Sequence, residues 1–459
     1  MAKSSAYNLL STIQLRILLL INLTFLGFGA QAYPLDAYEE TNIGRLEAAS
    51  RIERDLLKGR KQPKGALLNR NEVDLLLLEH QDLTLPPIDE KFSGQIRSLL
   101  GNNASRYGIA VLDLSDLNNI RYAEHNGSQI QNPGSVGKLL VALGIFQALA
   151  DLYPDDHDKR WQILKETVIT ADDFIISDSH TVRMWDRENE KLIRRPLKIG
   201  DTGTLLEYLD WMVSPSSNAA AATLSKHAML IKHFGESYPV TIETADNYFK
   251  QSERKALTAT LAEAIEAPVT RNGMDLEKMR QGSFFTRTGK RKVQGTTSYA
   301  TPRELMKFLL FMEQGKLVDE FSSREIKRLM YVTERRIRYA SAPALRDAAV
   351  YFKSGSLYKC QPEPDFECKK YHGNVRNFMN SVAIVEYPAA DRDLFYIVTL
   401  MSNVLRRNSA VDHQTFATRT HRLIQSFHKA RLKAEKEQAA KPPTPSISNE
   451  GGHEVYRYD

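Results

Sequence analysis

An unbroken apolar run, Leu139-Leu140-Val141-Ala142-Leu143-Gly144-Ile145-Phe146, follows directly on the turn Asn132-Pro133-Gly134-Ser135-Val136-Gly137-Lys138. A helix apolar on every side has to be buried on every side, and a Pro-Gly turn before it marks the loop that opens it. The chain is long enough to wrap such a helix, at 459 residues. Ser135 then stands at the helix start, with Lys138 one turn later on the same face. A serine hydroxyl is a poor nucleophile until a neighbour takes its proton. Lysine can do so only when neutral, which requires moving its pKa from about 10.4 toward 7, roughly 4–5 kcal/mol of bias. Burial and the positive end of the helix dipole both push that way. The Ser-x-x-Lys spacing alone is common and recurs at Ser252–Lys255, Ser356–Lys359 and Ser426–Lys429. Only Ser135–Lys138 opens a deeply apolar helix after a Pro-Gly turn.

Two further polar clusters interrupt apolar segments. Met212-Val213-Ser214-Pro215-Ser216-Ser217-Asn218 precedes the Ala-rich stretch Ala219-Ala220-Ala221-Ala222. By itself this is also the pattern of a helix N-cap, with Ser216 or Asn218 closing the helix that follows. Phe352-Lys353-Ser354-Gly355-Ser356-Leu357-Tyr358 reads as the end of an apolar strand before a loop. Arg287-Thr288-Gly289 is similar in composition but lacks a preceding strand.

Strand signals lie at both ends of the chain. Tyr107–Leu114 and Asn119–His125 read as a hairpin, and Ala349–Phe352, Phe378–Val385 and Leu394–Met401 as three further strands. The middle is mostly helical, and Ala410–Ala430 reads as a closing helix. The expected fold is α+β with two subdomains: a five-stranded antiparallel sheet flanked by helices, with an all-helical insert over about 133–345. Residues 33–90 form an N-terminal extension, 91–428 the main domain, and 429–459 a Lys/Glu/Ala-rich, then Pro/Ser/Gly-rich, disordered tail. Residues 1–32 carry Lys3 and Arg16, a short apolar run and a small-residue ending. They read as a signal peptide, or an anchor if uncleaved, and so as export to the periplasm or the exterior. Cys360 and Cys368 would pair as a structural disulfide in that oxidising compartment. No metal-ligand spacing or cofactor motif appears. The net charge of +6 is modest, without a basic stripe carrying interleaved aromatics, so nucleic acid is not an expected partner.

Taken in order, Ser135-x-x-Lys138, Ser216-x-Asn218 and Lys353-Ser354-Gly355 resemble the signature of the penicillin-recognising serine enzymes, the serine β-lactamases and D-alanyl-D-alanine peptidases. The resemblance is closest to class A β-lactamases, over roughly residues 90–428. Met212-Val213 before the Ser-x-Asn element is shared with them. The Thr-rich segment Thr296–Leu305, with Pro302, looks like the helix that follows their Ω loop. The resemblance implies an acylated Ser135, Lys138 as general base, and Ser216 as proton relay to the leaving nitrogen. It implies that Asn218 holds Lys138 and substrate, and that Lys353, Ser354 and Ser356 meet a substrate carboxylate. Gly355 belongs to that third element, and the backbone N–H groups of Ser135 and Ser356 would form the oxyanion hole. Each such donor is worth roughly 3–4 kcal/mol.

The chain departs from the class A pattern in its Ω loop. The Glu-x-x-Leu-Asn string that supplies the deacylating base there is absent between Asn218 and Thr296, and Glu277 is the nearest placed acid. The Ser135–Ser216 and Ser216–Lys353 intervals are longer than the family's, so insertions reshape the rim. The expected partner is a small β-lactam or a peptidoglycan stem peptide, and a membrane only if the N-terminal segment stays attached. The alternatives are a D-alanyl-D-alanine carboxypeptidase acting on cell-wall peptide, and an inactive protein of the same fold that binds cell-wall fragments or a partner.

Overall fold

The computed structural model describes residues 37–333 and 336–440. The segment read as a signal, 1–32, and the last part of the predicted tail lie outside the described residues. Five strands form one antiparallel sheet: β1 Tyr107–Asp113, β2 Arg121–His125, β3 Ala349–Lys359, β4 Arg376–Tyr387 and β5 Leu394–Asn403, in the order β2-β1-β5-β4-β3. The two ends of the chain thus meet at the β1–β5 pairing, where Val111 faces Val398. The helices that frame the sheet and the site include α1 Gly44–Glu53, α2 Glu90–Leu99, α3 Lys138–Leu152, α4 Leu205–Val213, α5 Asn218–Phe234, α6 Pro302–Glu313, α7 Glu320–Tyr331 and α8 Ser409–Ala439.

The sheet is covered on both faces, which is why its strands read as continuous apolar runs rather than alternating ones. Ala110 and Leu112 join the core shared with the helical insert, together with Leu139, Leu140, Ile384 and Ile397. Their strand neighbours Ile109 and Val111 point the other way, into a second core with Phe92 of α2 and Phe416 and Ile424 of α8. Strand β3 is longer than expected. The Lys353-Ser354-Gly355 element is not its end, because the ladder to β4 continues as far as Lys359 opposite Arg376. The apolar pattern stops early because these residues face a cleft rather than a core.

Helix α3 is central and buried from Lys138 to Ala150. The segment Gly134–Leu152 is apolar and long enough to cross a membrane, but most of it lies inside the domain as a core helix. Residues 37–89 wrap the helical insert. Arg70 forks onto the Glu325 carboxylate at 2.6 and 2.7 Å, and the Leu77 N–H donates to the Glu313 carbonyl at 3.1 Å. Two local expectations are corrected. The stretch between the first two polar clusters contains a two-stranded ribbon, Thr181–Asp186 with Lys191–Pro196, whose period-2 pattern is masked by its charges. Helix α8 extends to Ala439, eleven residues into the predicted disordered tail, laced by Arg431–Glu435 and Lys433–Glu437 pairs.

Candidate active site

The polypeptide enters α3 through a single 3-10 turn, Gly134–Gly137, that carries Ser135. Strand β3 passes directly against this turn at Gly355. A Cβ there would stand 2.3 Å from the Pro133 carbonyl oxygen and 2.5 Å from the Ser135 amide nitrogen, so only glycine permits the approach. The close passage brings the Ser135 and Ser356 main chains together on one side of the Ser135 turn.

Lys138 is fully enclosed, and its Nζ has four oxygen neighbours. It lies 3.1 Å from Ser135 Oγ, 2.6 Å from the Ser216 carbonyl, 3.3 Å from Ser216 Oγ and 2.8 Å from Asn218 Oδ1. Burial lowers its pKa to about 7, with Asp178 pulling it up and Arg338 pushing it down. Lys353 Nζ lies 2.8 Å from Ser216 Oγ. Its pKa is also pushed well down by burial, then by the charges of Lys138 and Arg338. The hydroxyls of Ser135 and Ser216 are therefore joined through the buried amine of Lys138, and Ser216 Oγ also meets that of Lys353. A proton taken from Ser135 has a connected route through Lys138 to Ser216.

The loop between α4 and α5 achieves this by a division of labour. The N-cap of α5 is Ser217, not Ser216 or Asn218; its Oγ accepts from the Ala220 N–H at 3.1 Å. Ser216 takes a positive φ of 66° and turns its side chain to the two lysines. Beneath the loop Asp178 accepts from Ser217 Oγ at 2.9 Å and from the Ala219 N–H at 2.8 Å. Burial opposes its charge, but His180 and these donors hold its carboxyl well below the usual range.

On the sheet side, Arg338 donates to Ser354 Oγ at 2.6 Å, to Ser356 Oγ at 3.1 Å and to the Tyr371 hydroxyl at 3.0 Å. The two serine hydroxyls and a guanidinium are thus gathered in one place, suited to a carboxylate. Cys360 and Cys368 are bonded, and close the loop that precedes Tyr371. A cleft of about 980 Å³ is lined by Ser135, Ser216, Asn218, Lys353, Ser354 and Ser356, with Gln281 and Phe285 from the insert.

Glu277 does not line it. It sits in a surface turn begun by Asp275, 80% exposed and paired with Arg280 at 3.2 Å. The side chain that approaches the nucleophile turn from this region is Gln281: a Cβ on Gly137 would lie 2.1 Å from its Oε1. Among the described residues lining the cleft there is no aspartate or glutamate. The Arg287-Thr288-Gly289 triplet lies in a short helix, Arg287–Lys292, rather than on a strand. Reasoning from sequence missed Arg338, Asp178 and Gln281. Each belongs to a loop without periodicity and reaches the site only through tertiary contacts.

A buried Ser-Lys pair, a second serine between two lysines and a Lys-Ser-Gly strand in one cleft define a serine hydrolase. The chain belongs to the β-lactamase enzyme family, whose pattern it matches over residues 91–418. Solved structures of similar arrangement include PBP-A, at 16% identity over 75% of this chain and all of that one, TM-score 0.47. A variant of PBP-A solved as its acyl-enzyme with penicillin G is similar at 13% identity over the same shares, TM-score 0.48. The β-lactamase from Sphaerobacter thermophilus is similar at 12% identity, over 72% of this chain and 96% of its own, TM-score 0.45. No curated protein matches the sequence.

Proposed function

We propose that this protein acylates itself on Ser135 with β-lactams or with acyl-D-alanyl-D-alanine-like amides, and that the acyl-enzyme is slow to hydrolyse. The observation that carries the reading is Lys138: an enclosed amine with its pKa near 7, at 3.1 Å from Ser135 Oγ. In this reading Lys138 takes the Ser135 proton as Oγ attacks the carbonyl carbon. The backbone N–H groups of Ser135 and Ser356 receive the developing oxyanion. Ser216, between Lys138 and Lys353, delivers a proton to the departing nitrogen. Asn218 fixes Lys138, and Ser354, Ser356 and Arg338 receive the substrate carboxylate. Slow deacylation is supported by the lack of any carboxylate among the described residues lining the cleft, since a water is then left without a strong base. Export is part of the same reading, supported by the signal-like N-terminus and by a disulfide between the only two cysteines.

The test is incubation with a fluorescent penicillin, followed by intact-mass measurement over time. We expect one adduct per chain, absent in Ser135→Ala, and persisting far longer than the time needed to form it. Rapid loss of the adduct would instead indicate an efficient β-lactamase. A folded wild-type protein that never labels would indicate a binding protein.

A further inference from the structure

Within that reading, one wall of the cleft is not needed for the acylation chemistry, and two segments of the helical region build it. The ribbon Thr181–Asp186 with Lys191–Pro196 carries Arg194 to the cleft, where its Nε donates to Thr181 Oγ1 at 2.9 Å. The helix Arg287–Lys292 brings Lys290 to the same wall. The two segments are tied to each other: the Arg287 N–H donates to Ser177 Oγ at 2.9 Å, and Thr288 Oγ1 donates to the Ile176 carbonyl at 3.2 Å. His180, at the root of the ribbon, also lines the cleft and leans on Asp178. Neither Arg194 nor Lys290 forms an ion pair among the described residues; Phe284 and Phe285 line the same cleft, with the Phe285 ring 5.0 Å from Lys138 Nζ. The helical side of the cleft thus carries two cations and two aromatic rings. The Arg338, Ser354 and Ser356 donors lie on the sheet side.

We propose that Arg194 and Lys290 form a second anion subsite, which takes an acidic group on the acyl side of the substrate. Because this rests on the acyl-enzyme reading, the substrate class narrows to dianionic ones. One carboxylate is held at Arg338, and another acidic substituent reaches Arg194 and Lys290 on the helical side of the cleft. No acidic side chain lines the cleft among the described residues to compete for either cation set. Unpaired like charges gathered in one cavity raise the local concentration of an anionic ligand and select against neutral ones.

Two penicillins sharing a benzyl side chain test this, one unsubstituted and one bearing a carboxylate on the side-chain α-carbon. Their second-order acylation constants are compared by mass spectrometry. In the wild type the carboxylated probe should react roughly fivefold faster at low salt, the scale of a partly exposed charge pair, with the advantage shrinking as salt rises. In the Arg194→Gln/Lys290→Gln double variant the ratio of the two constants should fall to near unity. Equal constants in the wild type, or an undiminished ratio in the double variant, overturn the subsite. If neither probe labels a folded protein, the acyl-enzyme reading falls instead. The subsite is then judged by calorimetric binding of an acidic peptide ending in D-alanine against its side-chain amide analogue. Tighter binding of the acid, lost in the double variant, supports the subsite, and equal binding overturns it.

Discussion

Asp210 in α4 receives both arms of the Arg45 guanidinium, Nε at 2.6 Å and Nη2 at 2.5 Å, and the same Nη2 reaches Ser214 Oγ at 3.1 Å and the Val332 carbonyl at 2.6 Å. One side chain of the N-terminal extension thus grips the start of the Ser216 loop and the start of the loop that carries Arg338. Both partners are buried, so removing one strands the other as a buried charge, a loss of about 3–5 kcal/mol. Arg45→Met should therefore lower thermal stability markedly, whereas Arg45→Met/Asp210→Leu should recover much of it. Differential scanning calorimetry of the two variants decides this. If the single variant melts with the wild type, the extension does not brace the cleft.

The pH dependence of acylation follows from Lys138. Its pKa near 7 leaves the amine neutral above that value and protonated below it. The labelling rate should fall about tenfold per pH unit below 7 and level off above it. The linkage to stability has the matching sign. Between pH 7 and about 10.5 the unfolded chain holds a proton on this lysine that the folded chain lacks. The unfolded state binds more protons there, so the lysine's contribution to stability improves as pH rises through that window. At pH 7 and below its buried charge is a net cost. Lys138→Met should abolish labelling and raise the melting temperature at pH 6, with a gain that shrinks toward pH 10. A labelling rate flat from pH 5 to 8 would remove Lys138 as the base.

Gln281 bears on the lifetime of the adduct. Its amide lies against Gly137, one residue from Lys138 and two from Ser135, in a cleft with no acid among its described lining. Gln281→Glu places a carboxylate beside the turn that carries Ser135 and Lys138, as a candidate base for a water attacking the acyl carbonyl of the proposed adduct. General-base assistance is worth about 10²-fold or more. The variant should label and then lose its adduct about 10²-fold faster than the wild type, by the same mass measurement. A new negative charge this near Lys138 also favours its ammonium form, so the acid limb of labelling should move to higher pH. An unchanged adduct lifetime would show that this side chain does not face the acyl group.

The sheet and the core helix were legible because burial writes itself into sequence. The run Leu139–Phe146 is apolar on all sides because α3 is buried on all sides, and the strand runs are continuous because both faces of the sheet are covered. The three polar clusters were legible because each interrupts such a run. The remainder depends on contacts that local pattern does not encode. Ser217 rather than Ser216 caps α5 because Asp178, thirty-nine residues away, accepts from its hydroxyl. The ribbon at 181–196 was hidden by the charges of Arg183, Arg194 and Arg195, which obscure its alternation. Glu277 looked placed by its distance along the chain, but the turn from Asp275 aims it at Arg280 and solvent.

Arg338 is the residue whose role divides into two measurable parts. Its guanidinium donates to Ser354 and Ser356, and its charge helps depress Lys138 and Lys353. Under the proposed acylation, losing the fork removes charge-assisted hydrogen bonds to the substrate carboxylate, about 1.5–3 kcal/mol, or roughly 10–100-fold in the second-order acylation constant. Losing the charge lets the Lys138 pKa rise, so less of the amine is neutral at pH 7. Arg338→Gln should therefore label poorly at pH 7 and regain part of its rate by pH 9, the remaining deficit measuring the lost carboxylate contact. Arg338→Lys keeps the charge but not the fork. It should hold the acid limb near 7 while still reacting slowly with carboxylate-bearing probes. If both variants show the same pH profile and the same rate as the wild type, Arg338 neither meets the substrate nor tunes the base.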